Sequence, residues 1–345
     1  MTSPELLPKA KRSPRFERPI LRTNVQLTER DLDILEVVAD CRFMRSNHIT
    51  QVVAGNPVKI VQRLGALYYA GLLDRPRAQL DYYKAGGGSS ALVYAISDEG
   101  ARALAQHRPQ VNRGRLDWSR RNHQAGRLFL NHTLAVTDFA VALMSAVRRH
   151  PGITLAHYGR LLTTLPPETR GRDEPFKWSV PCKIDGQEET IGLIPDHAFI
   201  LTFPDGTRRC LLVEIDKGSM PVERAKLRQT SILRKLLAYH QGFKQKHHVE
   251  QFGWKAFRTL IVTTSKDRAR NIFALVAQSE KEKTSSRPTL ARHLKDHDAR
   301  IFYVTDEASL YGASDLLTHT WLSTDARPQL LPASTLFTPD AQSVA

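Results

Sequence analysis

Two carboxylates follow a short apolar run in the middle of the chain. Glu214 and Asp216 come directly after the apolar residues 211–213, a segment with the pattern of a buried strand. Alternate side chains of a strand share a face, so Glu214 and Asp216 are predicted to lie together. Like charges on a half-buried face repel each other unless a cation compensates them.

A third acidic residue precedes this strand. Asp196 comes just before the predicted strand 198–203, which adjoins the strand 210–215 as a hairpin. Carboxylates offer the hard oxygen ligands that Mg²⁺ and Mn²⁺ prefer. The sequence therefore predicts a divalent-metal site formed by Asp196, Glu214 and Asp216.

The elements that position these residues alternate between strand and helix. The apolar patterns predict a helix at 126–149, strands at 153–158, 176–180, 198–203 and 210–215, a helix at 221–246, a strand at 259–263, a helix at 266–279 and a strand at 299–304. A helix separates the two most apolar strands, which favours a parallel crossover connection. Residues 128–322 are therefore predicted to form a mixed-sheet domain of α+β and α/β character.

The preceding part of the chain, residues 27–107, has a different order of elements. The predicted elements are a helix that Thr28 opens with a capping box to Asp31, helices at 46–54 and 58–70, and strands at 79–83 and 91–96. Three helices and a two-stranded ribbon are the order of a winged helix-turn-helix. In that fold one helix enters the major groove of DNA, and the ribbon touches the backbone or the minor groove.

The third predicted helix carries the candidate DNA contacts. Its apolar residues, Val61 and Leu64 among them, are predicted to face inward. Lys59, Gln62 and Arg63 are predicted on its polar side, within reach of bases or phosphates. Winged helices also dock proteins, so protein docking is the alternative.

The overall charge agrees with a polyanionic partner. The 345 residues include 50 Lys and Arg against 35 Asp and Glu, a net charge of +15. Nucleic acid is the commonest partner of such a chain, although a basic surface also suits membranes and acidic proteins. A flexible basic arm is predicted at 1–26, a basic linker at 108–127 with Arg120 and Arg121 as candidate DNA contacts, and a disordered tail at 323–345.

Several protein classes are disfavoured by what the sequence lacks. Its three cysteines form no CxxC pair, so a disulfide framework and a zinc finger are not expected. The longest apolar helical stretch, 134–147, falls short of the about 20 residues that span a membrane. The first residues lack the apolar core of a secretory signal. The expectation is a cytoplasmic protein without a membrane span.

The motifs and their order resemble a known family. Asp196 after proline, followed by Glu214 and Asp216 on the next strand, is similar to the signature of PD-(D/E)xK restriction-endonuclease-like nucleases. The phrase GLLDRP…YAISDEGARAL resembles the later part of a winged helix. Over residues 27–304 the chain resembles the replication-relaxation family, which is similar to the MOBC-class relaxases of conjugative and mobilisable elements.

The resemblance implies an activity and further site residues. The implied activity is nicking of double-stranded plasmid or mobile-element DNA at a transfer or replication origin, and other mobilisation proteins or a second copy of the chain are further partners that it allows. His132, Asp138 and Tyr239 fall in matching segments and are additional candidates for the site. Core packing is the alternative for His132, and a polar position inside a helix is the alternative for Asp138.

One position departs from the nuclease pattern. Those nucleases usually carry lysine two residues after the glutamate, where this chain has Asp216. A lysine there would polarise the scissile phosphate or position water. Lys235, in the segment LRKLLAYH, is our preferred replacement; Lys226 and Lys217 are the alternatives, and simple distance along the predicted helix favours Lys226.

Two functions from different classes follow. The leading hypothesis is a metal-dependent, site-specific DNA nickase. The alternative is a DNA-binding replication or transcription regulator whose nuclease-like domain is inactive. The absence of a lysine two residues after Glu214 supports the alternative, and the intact carboxylates oppose it.

Overall fold

The computed structural model describes residues 15–18, 24–80, 91–109, 117–184, 186–277, 298–324 and 329–332. The chain divides into two compact units, of which the first ends at Thr137 and the second begins at Asp138. Both units combine helices with β-sheet, and the larger sheet mixes parallel and antiparallel strands. The predicted mixed α and β character is confirmed.

The first unit is built from short elements. They are α1 (Glu29–Cys41), β1 (Met44–Arg45), α2 (Ser46–Val52), α3 (Pro57–Tyr69), β2 (Leu73–Asp74), β3 (Val93–Ile96), α4 (Asp98–His107) and α5 (Trp118–Gln124). Thr28 caps α1, and the predicted capping box is present, because the Asp31 carboxylate accepts from the Thr28 backbone N–H at 2.7 Å. Local sequence therefore sets the start of this helix.

Helix α3 buries a narrower stripe than predicted. Ile60, Leu64 and Leu67 are fully buried, whereas the Val61 side chain, predicted inward, is 47% exposed. The buried residues recur at i, i+4 and i+7, and Val61 lies about 100° around the helix from Ile60. The prediction for Val61 was wrong because it extended the apolar face by one position too many.

The sheet of the first unit differs from the predicted ribbon. Val93–Ile96 lies between Met44–Arg45 and Leu73–Asp74 and pairs antiparallel with both. Residues 77–79, at the start of the predicted ribbon strand, form a 3₁₀ turn, and residues 81–90 lie outside the described part of the chain. The Gln79 amide bonds the backbone of Val93 instead.

Part of the predicted linker is helical. Helix α5 lies within residues 108–127, and its Asn122 is buried. The Asn122 amide donates to Asp74 at 3.1 Å and to the Ile96 carbonyl at 2.7 Å. These bonds hold α5 against the sheet of the first unit.

Helix α6 (Arg127–Arg148) confirms the long helix predicted here. Leu130 and Leu134, near its start, pack with Phe43 and Val93 in a core cluster of the first unit. By length and composition this helix is apolar enough to cross a membrane, but half of its most apolar window is buried inside the protein. That burial is typical of a core helix.

The second unit contains a five-stranded and a two-stranded sheet. Its elements are β4 (Thr154–His157), α7 (Tyr158–Leu162), α8 (Pro167–Arg170), β5 (Trp178–Ile184), β6 (Gln187–Leu193), β7 (His197–Thr202), β8 (Arg208–Ile215), α9 (Ile232–Lys244), α10 (His247–Phe252), β9 (Arg258–Thr263), α11 (Lys266–Ala277), β10 (Phe302–Asp306) and α12 (Glu307–Tyr311). The larger sheet has the order β10-β9-β8-β7-β4. Strands β8 and β9 pair in parallel, which confirms the predicted crossover.

The helix predicted at 221–246 begins eleven residues later than its pattern suggested. Helix α9 starts at Ile232, where the Ser231 side chain accepts from the Arg234 N–H. The backbone N–H groups of Ile232 and Leu233 donate to the carbonyls of Pro221 and Val222, so the chain before the helix folds back across its first turn. Lys226 therefore lies in an exposed loop and not on a helix.

Candidate active site

The site is centred on Glu214, the next-to-last residue of β8. Lys235 and Tyr239, one turn apart on α9, both donate to the Glu214 carboxylate, one to each oxygen. Residues four apart on a helix lie on the same face, so Ser231, by starting the helix, places both donors together. Glu214 is 7% exposed and Tyr239 is fully buried.

Asp196 lies across the hairpin from this group. His197 pairs with Val213 in the antiparallel register, so the next pair outward is Asp196 and Glu214. The Asp196 N–H donates to the Val213 carbonyl at 2.9 Å, and its carboxylate accepts from the Ile215 N–H at 2.8 Å. Opposite positions of an antiparallel pair are neighbours on one face, and the Asp196 carboxylate is close enough to raise the pKa of Glu214.

The electrostatics of Glu214 follow from burial and two neighbours. Burial raises the pKa of Glu214 to about 7; the Lys235 ammonium opposes this rise and the Asp196 carboxylate adds to it. Burial lowers the pKa of Lys235, but the attraction of the surrounding carboxylates, Glu214 first, outweighs it and leaves that pKa raised. Lys235 is therefore the cation that compensates Glu214 in this structure.

Replacing Lys235 with methionine is expected to raise the pKa of Glu214 above about 7, since the compensating charge is lost. Carbon-detected NMR titration of the Glu214 carboxyl measures this pKa. When the pKa of an acid is higher in the folded than in the unfolded state, the free energy of unfolding falls as pH rises from the unfolded-state pKa through the folded-state pKa. The variant should therefore match the wild-type free energy of unfolding more closely at pH 5 than at pH 8.5. The exposed Lys226, replaced in the same way, is the matched control, and an unchanged Glu214 titration in Lys235→Met would contradict the pairing.

Asp216 is held by other side chains. It lies one residue beyond the end of β8, and Arg268 on α11 forms a two-pronged ion pair with it at 2.5 and 3.0 Å. The Thr263 hydroxyl donates at 2.5 Å and the Gly218 N–H at 3.1 Å. Burial raises the pKa of Asp216, but these donors outweigh it, with Arg268 the largest contributor, and the pKa is lowered overall.

The predicted trio of metal ligands is therefore not assembled as expected. Asp216 already has a full positive charge and two further donors on its oxygens, so it does not need a metal ion for compensation. Within the described ranges, no group of three or more His, Cys, Asp or Glu side chains is arranged to hold a metal ion. The strand alternation that predicted a shared face stops applying to Asp216 because β8 ends at Ile215.

Asp196 and Glu214 are better suited to a divalent cation than the predicted trio that included Asp216. Together with Lys235 they form a group of two carboxylates and one ammonium, which carries a net negative charge when Glu214 is ionised. Mg²⁺ is commonly held by one or two carboxylates together with water and substrate phosphate. The donor chemistry therefore suits Mg²⁺ or Mn²⁺ at Asp196 and Glu214 without Asp216.

The other predicted site residues lie elsewhere. Lys217 forms an ion pair with Glu307 at 2.8 Å. Asp138 lies in the second unit, where burial raises the pKa of Tyr311 and the charge of Asp138 adds to that rise. His132 is on the part of α6 that belongs to the first unit. Of the three lysines considered, Lys235 is the one placed on Glu214.

Two important residues escaped the sequence reasoning. Arg268 lies in the first turn of α11 and Thr263 at the end of β9. The signal was present in the parallel crossover, since Ile215 pairs with Val262 and the ends of β8 and β9 therefore coincide. A polar residue at the end of β9 and a cation in the next helical turn are the positions from which Asp216 can be reached.

A cavity of about 340 Å³ opens beside Lys235. It is lined by residues of β6, by Met220, and by the start of α9, including Ser231 and Arg234. This volume falls in the range of ligand pockets in proteins. Lys235 thus faces both Glu214 and a space that another molecule can enter.

The candidate DNA contacts of the first unit are of two kinds. Arg63 forms a two-pronged ion pair with the fully buried Asp31 at 2.6 and 2.7 Å, which assigns it a structural role in place of the predicted DNA contact. Lys59 and Gln62 are exposed on α3, as predicted. Arg120 on α5 pairs with Asp117 at 3.0 Å but keeps 69% of its side chain exposed, and Arg121 is 4.0 Å from the same carboxylate.

Removing the Arg63 side chain is expected to cost stability and to leave DNA binding largely unchanged. Arg63→Ala strands the buried Asp31 carboxylate, a change worth about 2–4 kcal/mol. Chemical denaturation measures the loss. The salt dependence of DNA binding should match that of the wild type, whereas Lys59→Ala should reduce its slope by about one. The neighbouring exposed Gln62→Ala is the stability control, and a reduced salt slope in Arg63→Ala would reverse the assignment.

The fold and the site together define an α+β protein in which a buried glutamate, beside a half-buried aspartate, is paired with a lysine from a neighbouring helix. The chain belongs to the replication-relaxation family, whose model matches residues 35–253, more than half of its length. Membership indicates a role in replication or mobilisation. No curated protein and no solved structure matches the chain.

Proposed function

We propose that this chain is a metal-dependent, site-specific DNA nickase that acts on plasmid or mobile-element DNA. One observation carries the proposal. Lys235 donates to Glu214, and Glu214 lies opposite Asp196 across the hairpin. This is the set of side chains that the nuclease resemblance calls for, with the lysine supplied by a helix.

The position of Lys235 answers the main objection from the sequence. The strand carries Asp216 where the nucleases usually carry lysine, and Asp216 is held by Arg268. A lysine from α9 approaches the same glutamate through space. The ammonium group that catalysis needs is thus available without a lysine in the ExK position.

Each residue has a role that follows from its contacts. Asp196 and Glu214 would hold the cation, and a bound Mg²⁺ or Mn²⁺ would supply an activated water and charge stabilisation at a phosphodiester. Tyr239 fixes the orientation of Glu214 by its hydrogen bond. Lys235 borders the adjoining cavity, where its charge would favour a phosphate group.

We propose that the first unit contributes a winged helix that binds double-stranded DNA. Helix α3 begins at Pro57 behind the Asn56 cap and exposes Lys59 and Gln62 beside Val58 and Val61, which are 65% and 47% exposed. Polar and cationic groups on an exposed helix suit base edges and phosphates, and apolar side chains suit thymine methyl groups. A helix that served only to fill a core would not present two valines to solvent.

A regulator with an inactive nuclease-like unit is the second candidate. The observation in its favour is that both Glu214 oxygens are already bonded within the protein, by Lys235 and Tyr239. Such a site is complete without a metal ion. The two functions differ in whether the site takes up a divalent cation.

Metal titration of the intact chain tests the proposal. Mn²⁺ binding is measured by calorimetry, and nicking is measured on supercoiled plasmids carrying replication or transfer origins, with Mg²⁺, Mn²⁺ or EDTA. Saturable Mn²⁺ binding and conversion of supercoiled to open-circular DNA only with metal are expected. Sequence-specific DNA binding with neither metal uptake nor nicking would favour the regulator.

A further inference from the structure

A second cavity lies at the opposite end of the large sheet from Glu214. It has a volume of about 170 Å³ and is lined by the start of β8 and β9, by residues before β9, by Tyr303 and by Leu330. Three of its lining residues are arginines, namely Arg208, Arg209 and Arg258. Among the described residues that line it, none is acidic.

The strand register shows how the sheet brings these side chains together. Leu211 pairs with Arg258 in the parallel register, and Arg209 is two residues before Leu211, so Arg209 and Arg258 lie on one face. Leu260 pairs with Tyr303, which places Tyr303 on that face as well. Three adjacent strands therefore bring Arg209, Arg258 and Tyr303 together, whereas Arg208, one residue before Arg209, starts on the opposite face and borders the cavity from the strand end.

This cavity is separate from the candidate active site. Arg209 and Glu214 are five residues apart on β8, so they face opposite sides of the sheet and lie about 16 Å apart along the strand. One phosphate group cannot contact both. Whatever binds here is a different part of a long molecule, or a different molecule.

The charge and the size of the cavity narrow down the occupant. Guanidinium groups that converge on one space favour an anion, and their planar forks match phosphate oxygens. The volume is below the about 300 Å³ at which pockets begin to bury a whole small-molecule ligand, so it suits a single anionic group. In a chain of net charge +15 with a role in replication or mobilisation, the abundant source of such groups is the nucleic-acid backbone.

We propose that the cavity faced by Arg209 and Arg258 binds one phosphate group of a nucleic-acid strand, outside the candidate active site. Arg209 also donates to the backbone carbonyls of Gln329 and Leu330. This arginine therefore forms part of the wall, and Arg258 is the better residue to vary. The proposal does not depend on nickase activity, since it concerns binding alone.

The test measures binding by the full chain in EDTA, so that metal-dependent cleavage cannot contribute. The variants are Arg258→Gln and Arg258→Lys. Arg270→Gln is the matched control, because Arg270 is 71% exposed on α11 and forms a surface ion pair with Asp267. Calorimetry with inorganic phosphate and the salt dependence of binding to single-stranded and duplex oligonucleotides are the two readouts, with circular dichroism to confirm folding.

The salt slope is the slope of the logarithm of the binding constant against the logarithm of the salt concentration. Loss of one phosphate contact should lower its magnitude by about 0.9 with duplex or about 0.7 with single strands, relative to Arg270→Gln. Arg258→Gln should show this fall and bind inorganic phosphate at least about tenfold more weakly, whereas Arg258→Lys should keep the wild-type slope. Should Arg258→Gln fail to fold, calorimetry of the folded wild type with inorganic phosphate decides, and the absence of binding there would overturn the site. Salt slopes equal to that of Arg270→Gln would overturn the nucleic-acid assignment. If the binding of inorganic phosphate were also unchanged, the anion site itself would be overturned.

Discussion

Replacing Glu214 with glutamine is expected to lower the rate of metal-dependent nicking by about 10²–10³-fold and to leave DNA affinity unchanged. Glutamine keeps the shape of the side chain; its one carbonyl oxygen can accept from Lys235 while its NH₂ group can donate to the Tyr239 hydroxyl oxygen. It removes the negative charge that, with Asp196, would hold the cation. The measurement is the initial rate of open-circular plasmid formation, with Mn²⁺ binding by calorimetry beside it.

The control for Glu214→Gln is a glutamate-to-glutamine change at a position outside the candidate site. Glu174→Gln serves, because Glu174 is half exposed and pairs with Lys177 one turn away on the surface. Its nicking rate and Mn²⁺ affinity should equal those of the wild type. Glu214→Gln with wild-type Mn²⁺ affinity would show that the carboxylate pair is not the metal site, whatever the nicking rate.

Replacing Arg268 with methionine is expected to destabilise the protein by about 3–5 kcal/mol, because it leaves the Asp216 carboxylate buried without its cation. The side chains of Asp216 and Arg268 are 6% and 18% exposed, so solvent screens this pair little. A loss of that size lowers the melting temperature by on the order of 10 °C in a unit of this length. Calorimetric unfolding measures both quantities.

The stability lost in Arg268→Met is expected to depend on pH. The pKa of Asp216 is lowered in the folded protein, so its interactions stabilise the fold above the unfolded pKa and are lost as pH falls through the folded one. The deficit of Arg268→Met should therefore shrink below about pH 4. Asp216→Asn combined with Arg268→Met should recover part of the lost stability, and Arg270→Met should cost little. If Asp216→Asn abolished Mn²⁺ binding in a fully folded protein, Asp216 would be a metal ligand after all.

Local patterns predicted the elements well where neighbours in sequence decide them. Thr28 and Asp31 form their capping box within four residues. The strands β8 and β9 and their parallel pairing followed from two apolar runs separated by a helix. Such features depend on periodicity and capping, which a short window of sequence contains.

The same local patterns failed where a distant segment intervened. The apolar spacing of residues 221–231 suggested helix, but their backbone folds back on α9. Arg63 lies on the polar side of α3, where a DNA contact was predicted, yet Asp31, 32 residues earlier, forms an ion pair with it. In both cases a tertiary contact outweighs local propensity.

The sequence by itself determined that acidic side chains lie on a buried strand and that a cation must compensate them. It did not determine which cation. Strand register and helix placement bring Lys235 to Glu214 and Arg268 to Asp216, across 21 and 52 residues of chain. Coulomb attraction is strong only at the few ångströms of direct contact in a poorly solvated site. The tertiary structure therefore decided which of two neighbouring carboxylates is held by a guanidinium and which by an ammonium group.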